Sequence, residues 1–393
     1  MSGRRRLLFV WQHLGAYHAD RLRALEAALG SRFEIVGIEL ASTSEKYAWG
    51  EYRGPLGFRR VTLFPGVAAE RTSPWRRFRR LLGTVRELRP SAVFLCNVNE
   101  PETIALAAVC RLLRLRVFAL LGAKFDDHDR GALLEAAKMP LMRLFHGGIA
   151  GGSINVAYYR FLGMPADRLH PGYETIDIER IRASAGAPPA PDGLPFADRH
   201  FTIVARLVPE KNLARAISAY ARYRAMAGAG ARELHLCGSG VLEPALRAQA
   251  ANIEGIRFCG FLDAQAIARE LASSLCLMLP SLSEPWGLVV NEAFAMGVPV
   301  LCSDNVGARH DLVRTAVNGY VVEPGNVAGL ARLMLAIAGD ERHWRGLAVE
   351  ARDAAPLGDV AQFVRSVSRL VGAVAEDKAA SRVAREAPVA AGR

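Results

Sequence analysis

Short apolar runs alternate along this chain with stretches in which apolar residues return every three or four positions. RLLFVWQH (residues 6–13) reads as a buried strand, and HADRLRALEAALG (18–30) as the amphipathic helix that follows it. FEIVGIEL (33–40), SAVFLCN (91–97), RVFALLG (116–122) and GGIAGG (147–152) predict further strands. PETIALAAVCRLLRL (101–115) predicts a helix, as does the stretch from about Asp127 to Phe145. The rhythm breaks at ASAGAPPAPDGLPFADRH (183–200), where four prolines mark a linker. Strand patterns then resume at HFTIVARL (200–207), ELHLCGSG (233–240), IRFCGF (256–261), SSLCLMLP (273–280), VPVLCSD (298–304) and GYVVEP (319–324). LARAISAYARYRAMAG (213–228) and AQAIARELASS (264–274) supply helices between them. Such alternation calls for parallel sheets covered on both faces. The expected fold class is therefore α/β, two doubly wound Rossmann-like domains facing a cleft, with ligands beyond the carboxyl ends of the strands.

The expected division is a first domain over 1–185, a linker over 186–197 and a second domain over 198–358. A helix over 359–376 is expected to cross back to the first domain, and 377–393 to fray as a tail. A length of 393 residues, 51% of them apolar, suits two domains with cores of their own. The opening MSGRRRLLFVWQH has too short an apolar run for a secretory segment, and no run nears the ~20 residues of a membrane span. A cytoplasmic protein is the expectation. The six cysteines are scattered without a C-x-x-C pair and read as small core hydrophobes in a reducing compartment, not as a zinc or disulfide framework. Net charge is +11, with its densest cluster in RTSPWRRFRRLLGTVRELRP (71–90). That stretch reads as a basic amphipathic helix, either a solvated face or a contact with an anionic membrane surface or an anionic acceptor. No nucleic-acid recognition motif accompanies the charge.

The candidate chemistry gathers in the second half. In PSLSEPWGLVVNEAFAMGVPVLCSD (280–304) a strand ends, a turn carries Glu284, and a helix from about Gly287 to Met296 carries Glu292. The unpaired amides of Gly287 and Leu288 at the positive end of the helix dipole would offer an anion site. Glu292, one turn deeper on the face of Leu288, can accept hydrogen bonds from the vicinal hydroxyls of a ribose. VARLVPEKN (204–212) places Arg206 and Lys211 in a loop before a helix, two cations suited to a diphosphate. LCGSG (236–240) adds a tight turn in which Gly238 would pass close to a ligand.

From about residue 200 to 335 the chain resembles the donor-binding half of retaining glycosyltransferases of GT-B architecture, family 4. The resemblance rests on ARLVPEKN, LCGSG, the E-x7-E element EPWGLVVNEAFAMGVPV and the following NGYVVEPGN, in that order. It implies that Arg206 and Lys211 hold the donor diphosphate, Glu284 contacts the transferred sugar and Glu292 the ribose, and that the amides of Gly287, Leu288 and Val289 complete the phosphate site. It makes the second domain the nucleotide-sugar domain and the first the acceptor-side domain. It also implies catalysis without a metal or other cofactor, because the protein supplies the cations. The first half matches the family in outline only. Where relatives carry a Gly-Gly loop this chain has WQHLGAYHADRL, with Gly15 alone in the donor-binding place. His13, Tyr17 and His18 line that loop as candidate acceptor or sugar contacts, and His18 reads either as a helix cap or as a base. Lys124 and His128 are further candidates, near a helix N-cap expected at Asp126 or Asp127. Asp127 and Asp129 spell D-x-D, a three-residue metal-site pattern that belongs to a different fold. Glu135 and Lys138 either pair on a helix surface or line the acceptor site.

The expected function is a retaining, metal-independent hexosyltransferase. It would move a hexose from a nucleotide-diphosphate sugar to a saccharide or lipid-linked saccharide, in cell-surface polysaccharide or glycolipid synthesis, with 71–90 resting on the inner membrane face. A nucleotide-sugar epimerase or hydrolase of the same fold and a basic nucleic-acid-binding protein are the alternatives. No nucleic-acid partner is expected.

Overall fold

The computed structural model describes residues 4–43 and 54–372. The tail expected over 377–393, and the last residues of the helix expected to reach 376, lie outside them. The first sheet is built from β1 (Arg5–Trp11), β2 (Phe33–Thr43), β3 (Arg59–Ala68), β4 (Ala92–Leu95), β5 (Arg116–Leu121), β6 (Gly148–Ala150) and β7 (Leu169–His170). Its helices are α1 (Ala16–Leu29), α2 (Pro74–Leu88), α3 (Pro101–Leu112), α4 (Ala132–Met142) and α5 (Ser153–Phe161). After α6 (Ile178–Ala185) come β8 (His200–Val204), α7 (Leu213–Ala227), β9 (Leu234–Cys237), α8 (Glu243–Ala250), β10 (Ile256–Gly260) and α9 (Ala264–Ala272). The second unit closes with β11 (Ser274–Leu279), α10 (Leu288–Ala295), β12 (Val300–Ser303), β13 (Gly319–Val322), α11 (Val327–Gly339) and α12 (Glu341–Ala354).

The sheets run in the orders β3-β2-β1-β4-β5-β6-β7 and β10-β9-β8-β11-β12-β13. Every recorded strand pair is parallel. The order reverses beside β1 and beside β8, so crevices open past the carboxyl ends of β1/β4 and β8/β11. Continuous apolar strands are what this burial on both faces requires: Leu7–Phe9 in β1 and Leu275–Met278 in β11 have no exposed surface.

Three differences from the sequence expectation have local causes. Strands β3 and β7 were not expected, because β3 carries charged residues, Pro65 and Gly66 at the sheet edge and β7 has two residues. Helix α4 starts at Ala132 rather than near Asp127, because the Asp127 carboxylate accepts from the Lys124 amide at 2.7 Å and closes a turn there. The N-cap of α4 is Gly131, not Asp126 or Asp127. Helix α6 falls within 1–185 yet packs with the second unit, Ile178 and Ile181 clustering with Leu271, Val290 and Ala293. The proline-rich stretch after it is also fixed there, the Ala190 amide donating to the Met296 carbonyl at 2.8 Å.

The chain passes between the units at Tyr173–Asp177 and returns at 358–360. The two passages lie side by side, the Ile176 amide donating to the Gly358 carbonyl at 3.1 Å and the Val360 amide to the Ile176 carbonyl at 2.9 Å. Beyond the return, the helical stretch 360–372 buries Phe363, Val367 and Leu370 in one cluster with Leu7, Phe9 and Tyr173 of the first unit. The Phe363 and Phe9 rings lie 6.0 Å apart.

Helix α2 spends its apolar stripe, Leu81, Val85 and Leu88, on the first core. Arg77 is buried against Glu102, with Nη1 2.6 Å from the carboxylate. Outward it presents Arg76, Arg79, Arg80, Arg86 and Trp75, the last 64% exposed.

Candidate functional site

Two loops of the second unit are sewn together past the ends of β8 and β11. Asn212 sits in the left-handed region (φ 57°) ahead of α7. Its side-chain amide donates to the Pro280 carbonyl at 2.9 Å and the Pro324 carbonyl at 2.8 Å. The Leu282 amide donates to the Glu210 carbonyl at 2.8 Å. This stitching sets Lys211 beside Glu284, and the ammonium donates to Glu284 Oε2. Arg206, on the same loop, is exposed and has no side-chain hydrogen bond or ion pair among the described residues.

Gly287 begins α10 with φ 97°, a conformation that favours glycine. A Cβ there would lie 3.0 Å from Leu279 Cδ2 and 3.3 Å from Glu284 Cγ. The amides at the start of α10, of Leu288 and Val289 among them, lack partners within the helix and lie one turn above Glu292. Glu292 is 3% exposed and accepts from the Tyr17 hydroxyl of the first unit at 2.9 Å. Burial raises its pKa from 4.5 to about 7, against the smaller downward pull of the Tyr17 hydrogen bond. Gly238 is enclosed by backbone. Its amide donates to the Gly260 carbonyl at 2.7 Å, and a Cβ would fall 1.9 Å from the Ala205 carbonyl oxygen. The glycine lets the loops after β8 and β9 close on each other.

In the first unit the candidates separate. Tyr17 meets Glu292, but His13 turns to β2, its Nδ1 3.5 Å from the Ala41 carbonyl and 3.7 Å from Glu39. The Gly15 amide donates to His18 Nδ1 at 3.1 Å, so both residues serve the start of α1. Burial pushes the His18 pKa well down, leaving a neutral ring against Trp11 with its proton on Nε2. Lys124 is 1% exposed and donates to Asp126 at 2.7 Å, while His128 is exposed. Asp127 is tied to the Lys124 amide with Arg130 at 3.8 Å, and Asp129 is exposed. Lys138 and Glu135 pair at 2.6 Å, with Tyr158 and Arg130 on the same carboxylate. Burial pulls that carboxyl up, and the hydrogen bonds from Lys138, Tyr158 and Arg130 outweigh it, taking the pKa down to about 2.

The structure adds residues that sequence reasoning missed. Glu174 is a third carboxylate in the cleft. Its Oε1 would lie 3.5 Å from a Cβ on Gly122, and Arg21 stands 3.4 Å from its Oε2. Burial raises its pKa, and the charge of Glu284 adds to the rise. Asn291 receives Trp286 Nε1 at 3.0 Å and donates to the Glu174 and Gly358 carbonyls at 3.2 Å. An asparagine in so apolar a helix was the available signal. Asp311 accepts from the Ser153 amide at 2.9 Å, and Ser283 donates to the Asp127 carbonyl at 2.9 Å. With Tyr17–Glu292 these contacts bridge the cleft.

Two doubly wound parallel sheets facing each other across this cleft define the GT-B architecture of glycosyltransferases. Residues 192–353 match the model of the family described as glycosyl transferases group 1. Sucrose-phosphate synthase from Thermosynechococcus elongatus superposes with a TM-score of 0.71 at 16% identity, covering 95% of this chain and 100% of that one. Anabaena HepE, solved with UDP and glucose, gives 0.68 at 18% identity, covering 94% and 100%. Glycogen synthase of Mycobacterium tuberculosis H37Rv is 34% identical over 140 residues, 35% of this chain and 33% of that protein. The matched segment spans a third or less of the length of the first curated relatives.

Proposed function

We propose that the protein is a retaining glycosyltransferase of the family 4 type, moving a hexose from a nucleotide-diphosphate sugar to a saccharide or lipid-linked saccharide acceptor. The observation that carries this reading is the buried carboxylate of Glu292 beneath the start of α10, with Lys211, Glu284 and the unpaired Arg206 on the two loops above it. A ribose on Glu292 would lead its diphosphate past the α10 amides to Arg206 and Lys211, leaving the hexose by Glu284. Negative charge growing on the departing diphosphate would meet fixed positive charge of the protein's own, with no divalent ion called for. The acceptor then attacks from the face the diphosphate leaves, which gives retention. The UDP-glucose complex of HepE makes UDP-hexoses the first donors to try.

Thermal shift against a panel of nucleoside diphosphates and nucleotide sugars tests the donor class. One pyrophosphate-linked hexose should raise the melting temperature, since ligand at a hundred times its Kd stabilises by about 2.7 kcal/mol. A flat response across the panel would remove the reading.

For the membrane we propose contact through the arginines of α2. Its apolar stripe is already buried, so the contact is electrostatic, with Trp75 as the one large apolar side chain on that face to enter the headgroups. In flotation, vesicles containing phosphatidylglycerol should carry the protein at low salt and release it as salt rises. Equal recovery on neutral phosphatidylcholine vesicles would end this part of the proposal.

A further inference from the structure

The amino-terminal half of the second sheet carries a polar lane that the donor chemistry does not use. His200 begins β8, His235 is the second residue of β9, and Glu270 lies near the end of α9, which covers them. His200 Nε2 lies 2.7 Å and His235 Nδ1 2.6 Å from the same oxygen, Glu270 Oε1. The two imidazoles stack with centroids 3.6 Å apart and planes 21° from parallel. On its other side His235 Nε2 lies 3.0 Å from Glu233 Oε2. The three inner side chains are 7–17% exposed, enclosed yet open to a small ion.

Protons can fill these contacts, and a divalent ion can replace them: it takes the lone pairs of His200 Nε2 and His235 Nδ1, and its charge is answered by Glu270. Glu233 then occupies the outer position that commonly orients a metal-bound histidine, accepting the remaining N–H of His235. Two imidazoles and one carboxylate are a zinc donor set with a fourth position left for water. All three ligand atoms lie within 4.8 Å of one another on two adjacent strands and one helix; an ion at the usual ~2.0–2.1 Å from each would part the carboxylate oxygen from the two nitrogens and turn the imidazoles out of their stack.

We propose that His200, His235 and Glu270 bind a divalent transition ion, zinc by their chemistry, which clamps α9 onto β8 and β9. The ion is structural. Its ligands stand at the opposite end of the strands from the loop holding Arg206 and Lys211, and the proposal does not rest on the transferase reading. Cys237 and Cys259 approach the same carboxylate, and these three ligand atoms are also within 4.8 Å of one another. A metal held by the thiols is therefore the rival outcome.

The test is calorimetric titration of the chelator-treated full chain with zinc chloride, with cobalt(II) as a spectroscopic probe. One equivalent should bind, the melting temperature should rise, and the cobalt spectrum should lack a thiolate charge-transfer band. His200→Gln and His235→Gln should each weaken binding at least tenfold, Glu233→Gln by about tenfold, and Cys259→Ser should leave it unchanged. The proposal fails if the wild-type protein takes up no zinc, or if binding survives both histidine replacements and is lost in Cys259→Ser. Titration of the wild-type protein decides the matter even if a variant does not fold.

Discussion

Glu292→Ala is expected to weaken UDP and UDP-hexose binding by about a hundredfold or more, the loss of two hydroxyl hydrogen bonds to a charged acceptor at about 1.5–3 kcal/mol each. The same carboxyl gives the binding a pH dependence. Burial holds its pKa near 7, whereas ribose hydroxyls need the ionised form as acceptor. Below about pH 7 the donor must displace a proton, so the wild-type Kd should rise by up to tenfold per pH unit. In Glu292→Gln that dependence should vanish. The stability linkage has the opposite sense. With its pKa raised from 4.5 to about 7, the folded chain keeps a proton that the unfolded chain has lost between those values. Its contribution to stability is therefore greatest below that window and declines as pH rises through it. Calorimetry of both proteins at pH 5 and pH 8 reads the stability difference. A UDP affinity unchanged in Glu292→Ala would refute the ribose assignment.

Lys211→Met carries the second large effect. The ammonium stands on the Glu284 carboxylate where a departing diphosphate is proposed to gather charge. Removing one such preorganised donor should lower kcat about 100–1,000-fold, or about 2.7–4 kcal/mol. The replacement also leaves Glu284 without its cation, so Glu284→Gln and the double variant are needed to isolate the pair. If Lys211 acts only by holding Glu284, the double variant should be no worse than Glu284→Gln alone. If it meets the diphosphate, the two losses should compound. Full turnover by Lys211→Met would eliminate the catalytic role.

How much of this was legible beforehand differs between the halves for a physical reason. The second sheet was readable because its inner strands are mainly apolar, with His200, Thr202 and His235 among the exceptions, and each ends in a loop with unusual residues. Arg206 and Lys211 share one loop, and Glu284 and Glu292 one turn and the helix after it, so each pair was legible locally although Lys211 and Glu284 meet across 73 positions. The first-unit contacts are not local. Tyr17 reaches Glu292 across 275 positions, and no pattern around either residue records the pairing. His13 and His18 looked like cleft residues because they follow a strand, yet one is held by β2 and the other caps its own helix. Glu174 was hidden in a loop that reads as a plain connection, since its place depends on the glycines at 122 and 151 leaving room. Helix α6 was not among the expected elements, and the burial of Ile178 and Ile181 in the second unit rests on contacts distant in sequence.

The paired passages at Ile176 and Asp359 fix where the lobes can pivot. Two adjoining backbone segments tied by hydrogen bonds behave as a hinge with one preferred axis, so the lobes should swing rather than slide. On the proposed donor pose, the two hydroxyls of an arriving ribose take the Glu292 carboxylate and displace Tyr17 from it. Loading the donor would thus release this tie between the lobes, and the spent nucleotide would leave as Tyr17 returns.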